Sequence, residues 1–423
     1  FLSVARPCVP GFLLRMKRLA ALIASFFEAI NHYNRFNSFR IPPNMDYFWQ
    51  QPHWPNFTWQ SDKLLTPLAA VRRKQGDLLR LVQTLGFEDQ LTAFAQHLAD
   101  DVKNTAEIEG EHPDIESIRS SVARHLGLST AGLKLPSHAI DNQVEILLDA
   151  THHAEEPLTK DRLFAWHRAL FPNGSSGLYA IRVGDWRNDV MRGVSGGFGH
   201  ETVHFEAPPP ERIPEEIQHF LAWWNDRSHL LDGLLRAGIA HLYFVTIHPF
   251  DDGNGRITRA LTDMALAQDD HFNQRYYSLS KTIMANRSAY YEVLETTQRG
   301  NGDCTPWLLW FIRTIDSALT EAKQCLQETL FKADYWRIYR KVPLSERQRK
   351  VINRLFDAGK DGFTGGLNTR KYQSLTGVSR ATAWRETADL LSVGMLRLIS
   401  GARGRSTSYE LPWPDDLPSR AVD

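Results

Sequence analysis

Apolar residues recur at helical spacing along most of this chain, whereas the alternation expected of strands is almost absent. Leucine and valine follow this spacing from Asp62 to Leu98, and another helix is predicted from about Leu91 to Glu109, with Gly110 as its terminator. Further helices are predicted over residues 116–126, 142–151, 159–170, 214–225, 231–247, 258–267, 285–299 and 306–331. The 231–247 segment is strongly apolar, which predicts a buried central helix. The pattern indicates an all-α fold.

The helical pattern is interrupted between Ser175 and Pro210. Glycine, serine and β-branched residues dominate the stretch VGDWRNDVMRGVSGGFGHETVHFEAPPP. This composition predicts a small β-hairpin, or flap, on the surface, which Pro208 to Pro210 end. The main domain is therefore expected to be all-α apart from this one small β-hairpin.

A different pattern begins near Pro343. The segment LSERQRKVINRLFDAG predicts one helix, and TRKYQSLTGVSRATAWRETADLLSVGML predicts helix, turn and helix, with Gly377 at the turn. The segment RLISGARGRSTSYEL predicts two short strands around a glycine-rich tip. This order is that of a winged helix-turn-helix domain. Residues 341–411 contain thirteen Lys or Arg and six Asp or Glu, so this domain is basic.

Composition narrows the class of protein. The chain has 423 residues, 42% hydrophobic and 23% charged, which is typical of a globular protein of two or three domains. Its formal net charge of zero means that nucleic acid or a membrane surface would have to be bound through a local patch. Cys8, Cys304 and Cys325 are far apart, which argues against a disulfide framework or a zinc knuckle. We therefore expect a cytoplasmic protein with no membrane partner.

The first 44 residues differ in character from the rest. The chain begins at Phe1, and MKRLAALIASFF imitates the basic start and apolar run of a signal peptide. The apolar run from Leu19 to Phe27 is shorter than the roughly 20 residues that span a bilayer. The sequence changes at Met45, which we expect to be the natural start. Residues 1–44 are then a non-native or disordered extension.

The stretch HPFDDGNGRITR, from His248 to Arg259, concentrates chemically useful side chains. His248 follows the buried helix and precedes Pro249, so a loop presents its imidazole, which can accept a proton from a hydroxyl group. Asp252 is a hard oxygen ligand of the kind that Mg²⁺ prefers. Arg256 and Arg259 are three residues apart, so both can reach one polyphosphate.

Between these side chains, Gly253-Asn254-Gly255 allows backbone N–H groups to converge at a helix N-terminus, a geometry that binds phosphate. Taken separately, a His-Pro pair is more often structural and DDGNG is more often a surface turn. A calcium loop would need further acidic ligands and a closing glutamate, and a P-loop would need GKS or GKT. Together, the residues predict a site for nucleotide phosphates.

The same stretch resembles the Fic family signature, HxFx(D/E)GNGRxxR, at every fixed position. The resemblance runs from about Met45 to Phe331 and implies a helical core with a β-hairpin flap. Family members mostly transfer AMP from ATP to a Ser, Thr or Tyr hydroxyl and release pyrophosphate. The resemblance therefore implies a Mg²⁺-dependent protein adenylyltransferase that modifies a hydroxyl side chain of a target protein. We also expect self-modification and a homodimer.

The resemblance assigns a role to each motif residue. His248 would deprotonate the target hydroxyl, and Asp252 would hold Mg²⁺ against the α- and β-phosphates. The phosphates would lie against Asp252, Gly253, Asn254, Gly255, Arg256 and Arg259, with the two arginines at the β/γ end. Val203 and His204 of the flap would hold the target peptide and flank the nucleotide. Tyr291 and Gln298, in NRSAYYEVLETTQRG, are candidates for the adenosine pocket, although a Tyr-Tyr pair is as often core packing.

An inhibitory element is predicted ahead of the motif. Residues Thr105 to Gly110 match the family's inhibitory pattern (S/T)xxxE(G/N), and Thr105 and Glu109 share one helix face. Glu109 would pair with Arg259, remove the guanidinium that should bind the γ-phosphate, and leave ATP misaligned. The alternative is an ordinary solvated acid on an exposed helix. We expect an autoinhibited enzyme.

The C-terminal domain suggests a second class of function, nucleic-acid binding. Residues that could contact DNA phosphates and base edges are Arg380, Thr382, Arg385, Arg397, Arg403 and Arg405. Such domains also dock proteins, with the basic residues merely solvated. The alternative for the whole chain is a DNA-binding regulator whose Fic domain uses another donor or removes AMP. The expected domains are an N-terminal helical region (45–130), a Fic catalytic domain (131–335), the winged helix (341–412) and a tail (413–423).

Overall fold

A computed structural model describes residues 47–130, 134–195, 202–226, 231–272, 274–399 and 407–414. The predicted extension at 1–44, Arg403, Arg405 and most of the tail lie outside these ranges. The chain divides into two compact units, one built from described residues up to 73 with 94–317, the other from 74–93 with those from 318 onwards. Within the described ranges, no helix combines the length and the apolar character needed to cross a membrane. The predicted domain bounds stay predictions.

Helices dominate the structure, which confirms the all-α class. The α-helices are α1 (Ser61–Gln83), α2 (Phe87–Ile108), α3 (Ile115–His125), α4 (His138–His152), α5 (Lys160–Leu170), α6 (Ile213–Asn225), α7 (Gly233–Ile247), α8 (Asn254–Asp270), α9 (Leu279–Ala285), α10 (Arg287–Gln298), α11 (Thr305–Ile338), α12 (Glu346–Gly362), α13 (Thr369–Thr376) and α14 (Arg380–Ser392). Short 3-10 helices occupy Phe48–Gln50 and Pro210–Arg212. The strands are β1 (Ser175–Ser176), β2 (Tyr179–Ala180), β3 (Arg192–Ser195), β4 (Thr202–Glu206), β5 (Arg397–Leu398) and β6 (Tyr409–Glu410).

Several boundaries differ from the sequence prediction. Helix α8 begins at Asn254 rather than at residue 258, so the glycine-rich turn leads directly into the helix. Residues 279–285 form a separate short helix, α9, which the periodicity missed. The Ser278 hydroxyl caps α9 by accepting a hydrogen bond from the backbone N–H of Lys281 at 3.0 Å. This capping bond, which periodicity does not record, accounts for the start of α9, whereas α8 begins at the left-handed Gly253 without a side-chain cap.

Helix α7 is the buried centre of the first unit, as its composition predicted. Every residue from Leu234 to Ile247 except Arg236 is buried, and α7 packs along α8. At Gly238 the absence of a side chain permits close packing, because a Cβ there would lie 3.0 Å from both Leu308 and Phe311. A rigid central helix therefore leads into His248.

Two antiparallel hairpins lie between α5 and α6. Strands β1 and β2 pair over 175–180, and β3 pairs with β4, with an irregular register between Gly193 and Val194. The β3–β4 hairpin is the flap predicted from the sequence, and residues 196–201 lie outside the described ranges. The Trp49 indole donates to the carbonyl of Glu206 at 2.7 Å, which fixes the end of β4.

The second unit contains α12, α13, α14 and the β5–β6 pair, in the order that the sequence predicted. Gly377 ends α13 with φ 72°, a left-handed conformation that suits the turn between helices. Arg380 and Arg385 are exposed on α14, whereas Arg397 pairs with Glu410 at 2.9 Å. Thr382 takes part in the helix cap with Ser379. The winged-helix assignment stays a prediction.

Candidate active site

His248 ends α7 in a left-handed backbone conformation, with φ 51°. This conformation is uncommon outside glycine and often marks functional positions. The imidazole Nδ1–H donates to the carbonyl of Val245 at 3.1 Å. A neutral ring with Nδ1 protonated carries its lone pair on Nε2. His248 therefore presents Nε2 as a potential base.

The pKa of His248 lies below the usual value for histidine. Burial lowers the pKa of His248 to about 4, and the positive charge of Arg187 acts in the same direction, against opposing contributions from the Val245 hydrogen bond, Glu109 and Asp252. The imidazole is therefore neutral at physiological pH. Its lone pair is available to accept a proton without first losing one.

The loop between α7 and α8 is held by its own side chains. The Asn254 side-chain oxygen accepts from the N–H of Phe250 at 3.0 Å, and its amide donates to the Phe250 carbonyl at 2.8 Å. Phe250 is fully buried and stacks on His167 at 4.2 Å between ring centroids. The Asn254 side chain therefore fastens the loop, so a phosphate cradle here would consist of backbone N–H groups.

His167 adds a second fastening to this loop. Its Nδ1 accepts from the N–H of Gly184 at 3.0 Å, and its Nε2–H donates to the carbonyl of Asp252 at 3.1 Å. Burial lowers the pKa of His167 to about 4, which favours the neutral ring that this donor and acceptor pair requires. The position of Asp252 is thus set from α5.

Asp252 has a geometry compatible with Mg²⁺ binding. Its side chain is 41% exposed. One carboxylate oxygen accepts from the Gly253 N–H at 2.6 Å, and the other accepts from the Ser176 hydroxyl. Within the described residues, no group of three or more acidic, His or Cys side chains is arranged for a metal. A single exposed carboxylate suits an ion that is bound mainly by nucleotide phosphates and water.

The N-terminus of α8 is built to receive an anion. Gly253 has φ 80°, and a Cβ there would lie 2.8 Å from the Phe171 ring, so the turn requires glycine. The N–H groups in the first turn of a helix lack partners within the helix. At Gly255, a Cβ would collide with the Glu109 carboxylate. The carboxylate of Glu109 therefore occupies the space directly above this helix N-terminus.

Arg259 is held by two residues of α2 and its C-terminal end. Its Nη2–H donates to Glu109 at 2.7 Å, and its Nε–H donates to the Thr105 hydroxyl at 2.6 Å. The Arg259 side chain is only 3% exposed, whereas that of Glu109 is 30% exposed. Burial lowers the pKa of Arg259, but the charge and hydrogen bond of Glu109, together with Tyr290 and Tyr291, outweigh it, and the pKa is raised.

Arg256 is paired as well, with an acid that the sequence analysis did not single out. Its Nη1–H donates to Glu111 at 3.0 Å, and its guanidinium lies 5.0 Å from the centroid of the Phe171 ring. Gly110, with φ 84°, ends α2, and the N–H of Glu111 donates back to the carbonyl of Ala106 at 3.0 Å. This turn returns Glu111 towards α8.

The flap is joined to α10 through two side chains. Arg299 donates to the carbonyls of Val203 and His204 at 2.7 and 3.0 Å, and His204 Nδ1 lies 2.8 Å from the carboxylate of Glu295. Val203 and His204, both on β4, thus connect the flap to α10. Their roles towards a target or nucleotide stay predictions.

The two residues proposed for the adenosine pocket lie in different environments. Gln298 is buried and its amide donates to the Thr246 hydroxyl of α7 at 3.0 Å. Tyr291 is 45% exposed, and the Arg287 guanidinium lies 5.6 Å from its ring centroid. The exposed ring is available for stacking, whereas the Gln298 side chain helps to hold α10 against α7. The assignment of both to a nucleoside stays a prediction.

Sequence reasoning missed the residues that fix this site from elsewhere in the chain: Glu111, His167, Ser176 and Arg187. None belongs to the motif, and each is a common residue type in an ordinary local context. Only Glu111 had a usable signal, since an acid directly after a helix-ending glycine can fold back on the same side as Glu109.

Two family profiles match the chain. The Fic/DOC family matches residues 157–266, which include the whole His248–Arg259 loop and the flap. A domain of unknown function, DUF4172, matches residues 47–128, which include the α2 segment that contacts Arg259. Residues 157–266 form a Fic/DOC family domain. The Fic domain therefore contains the predicted base, the predicted metal ligand and both arginines, and the DUF4172 region contains Glu109 and Glu111.

Curated relatives share parts of this region. The chain is 33% identical over 121 residues to a uridine 5'-monophosphate transferase of Xanthomonas campestris pv. campestris, covering 27% of this chain and 22% of that protein. It is 40% identical over 166 residues to the protein adenylyltransferase fic-1 of Caenorhabditis briggsae, covering 36% and 30%. The chain thus spans less than a third of either relative's length.

A solved structure of a Fic family protein from Desulfovibrio desulfuricans is 19% identical to this chain. The matched region covers 85% of this chain and 98% of the Desulfovibrio chain, with a TM-score of 0.49.

Proposed function

We propose that this protein is a protein adenylyltransferase, which transfers AMP from ATP to a Ser, Thr or Tyr hydroxyl of a target protein or of itself. The observation that carries the proposal is the juxtaposition of a neutral His248 with the anion-receiving N-terminus of α8 and two arginines. The adenylyltransferase relatives support the same reaction.

In the proposed reaction, Nε2 of His248 accepts the proton of the target hydroxyl as its oxygen attacks the α-phosphorus. A bond forms between that oxygen and phosphorus, and the bond to the pyrophosphate oxygen breaks, so pyrophosphate leaves with its electron pair. Arg256, Arg259 and the first N–H groups of α8 stabilise the negative charge of the phosphates. Transfer of this kind depends mainly on positioning and charge stabilisation.

Asp252 is the proposed Mg²⁺ ligand. Its exposed carboxylate, oriented by Ser176 and the Gly253 N–H, fits an ion that also binds phosphate oxygens. When bound, Mg²⁺ neutralises phosphate charge. The residues of this chain supply the orientation of the carboxylate and the proton acceptor.

Glu109 is the proposed brake. Its carboxylate lies above Gly255 and pairs with Arg259. It therefore occupies the space that a terminal phosphate needs and binds the guanidinium that would contact that phosphate. Two acids from one turn, Glu109 and Glu111, engage the two motif arginines. Both arginines must be released for them to clamp the β- and γ-phosphates.

The proposed partners beyond ATP are a target protein and, for the C-terminal unit, duplex DNA. Exposed Arg380 and Arg385 on α14 support DNA contact, whereas Arg397 is engaged by Glu410. A mobility shift with duplex DNA that weakens as salt is raised tests this partner, since released counterions make such binding salt-dependent. A homodimer and a cytoplasmic location stay predictions.

Replacing Glu109 with Gly should raise AMP transfer, because it removes the carboxylate from Arg259 and from the N-terminus of α8. A charge-assisted hydrogen bond contributes about 1.5–3 kcal/mol, which corresponds to roughly a 10- to 100-fold increase. Labelled ATP, GTP, CTP and UTP, incubated with wild type and variant in cell lysate, measure activity, donor and target together. His248→Ala should abolish transfer in either background. Equal transfer by wild type and Glu109→Gly would contradict the brake, and preference for UTP would overturn the AMP assignment.

Replacing Glu111 with Gln should raise transfer by a smaller factor. The Glu111 side chain is 49% exposed, and exposed ion pairs contribute about 0.2–1 kcal/mol, or up to about fivefold. The effect should add to that of Glu109→Gly when both are combined, measured as initial rates with labelled ATP. Glu107→Gln is the matched control, since Glu107 lies on α2 and pairs with Lys103 instead. A double variant no faster than Glu109→Gly alone shows that Arg256 is not restrained by Glu111.

A further inference from the structure

One buried guanidinium joins the proposed base to both ends of the flap. Arg187 is 2% exposed and lies in the segment that leads into β3. Its Nε–H donates to the carbonyl of His248 at 2.7 Å. Its Nη1–H donates to the carbonyl of Asp189 at 2.7 Å, ahead of β3, and its Nη2–H donates to the carbonyl of Pro208 at 2.5 Å, after β4.

The backbone of Arg187 reinforces this connection. Its N–H donates to the carbonyl of Pro249 at 2.9 Å, so side chain and main chain together contact two consecutive carbonyls of the catalytic loop. A planar guanidinium offers five N–H donors in a fixed arrangement. Lysine has a similar charge but a single ammonium, which cannot reproduce three bonds in that geometry.

From this geometry we propose that Arg187 is a positioning residue that sets the register of the flap against His248. The inference rests on the proposed function, in which the flap holds the target segment and His248 accepts its proton. Because the guanidinium contacts carbonyls on both sides of the hairpin, the hairpin cannot shift along the loop without breaking at least one bond. The acceptor hydroxyl is thereby held within reach of Nε2.

Arg187 is also electrostatically coupled to the base. Its positive charge lowers the pKa of His248, in addition to the larger effect of burial, while Glu109 and Asp252 act in the opposite direction. Removing the charge of Arg187 should therefore raise the pKa of His248. A substitution that keeps the charge should not, even if it disrupts positioning, so charge and geometry can be separated.

The experiment compares Arg187→Lys and Arg187→Gln in the Glu109→Gly background. It measures the dissociation constant of ATP by calorimetry, label transfer from ATP onto the chain itself and lysate protein, and the pKa of His248 by NMR, with His248→Ala assigning the resonance. We expect the dissociation constant of ATP to stay within about threefold. The hydrogen bonds from Arg187 given above go to backbone carbonyls and not to Arg256 or Arg259, the proposed phosphate ligands. Transfer should fall by about 100-fold in both variants, the loss typical of a misplacement of about 1 Å. The pKa of His248 should rise in Arg187→Gln alone.

Arg182→Gln is the matched control. Arg182 is an exposed arginine five residues earlier whose side chain pairs with Asp185 at 3.4 Å and donates to the carbonyl of Trp186 at 3.3 Å. Neither bond reaches His248 or the strands of the flap, so its replacement should change none of the three readouts. If Arg187→Lys in the Glu109→Gly background transfers label as fast as Glu109→Gly alone, the inference is overturned. Loss of ATP binding in parallel with transfer, or failure of Arg187→Lys to fold, would also overturn it, since either makes the role structural. If Glu109→Gly itself transfers no nucleotide, the proposed function fails, and the NMR titration still decides whether Arg187 acts on His248.

Discussion

The ion pair between Arg259 and Glu109 is the interaction on which the rest of the site depends. Arg259 is almost completely buried, so its charge requires a partner, and Glu109 supplies one at 2.7 Å. A polyphosphate could take the same place, because it offers negative charge at the same helix N-terminus. The buried arginine therefore makes carboxylate and phosphate alternative occupants of one position. In the proposed function, inhibition by Glu109 and nucleotide binding follow from the same electrostatic requirement.

In the proposed brake, the helix and the Glu109 side chain differ in how firmly they are held. Helix α2 is anchored near its middle, where Asp101 is buried and accepts from the Ser278 hydroxyl at 2.5 Å. Burial, with the nearby charge of Asp263, raises the pKa of Asp101. Glu109 lies at the end of the helix with 30% of its side chain exposed. Rotation of this side chain into solvent would break the ion pair with Arg259 without displacing the helix, and the bonds from Arg259 to Thr105 would remain.

The sequence predicted what is local and periodic. The central helix, the flap, the end of α2 at Gly110 and the motif loop all follow from apolar spacing, glycine positions and contiguous motif residues. It did not predict that Asn254 turns inward to fasten its own loop, because the partner is backbone. Nor could it reveal Arg187, whose role depends on carbonyls up to 61 residues away. Lowering of the His248 pKa likewise arises from burial, which no local motif records.

The most direct measurement of the central claim is a calorimetric comparison of ATP, ADP and AMP binding to wild type and Glu109→Gly. If Glu109 competes with the terminal phosphate for Arg259, its removal should strengthen ATP binding by about tenfold or more, the factor that corresponds to about 1.4 kcal/mol. AMP, which has only the α-phosphate, should bind both proteins equally. An equal change for all three nucleotides, or unchanged ATP affinity, would contradict competition at Arg259.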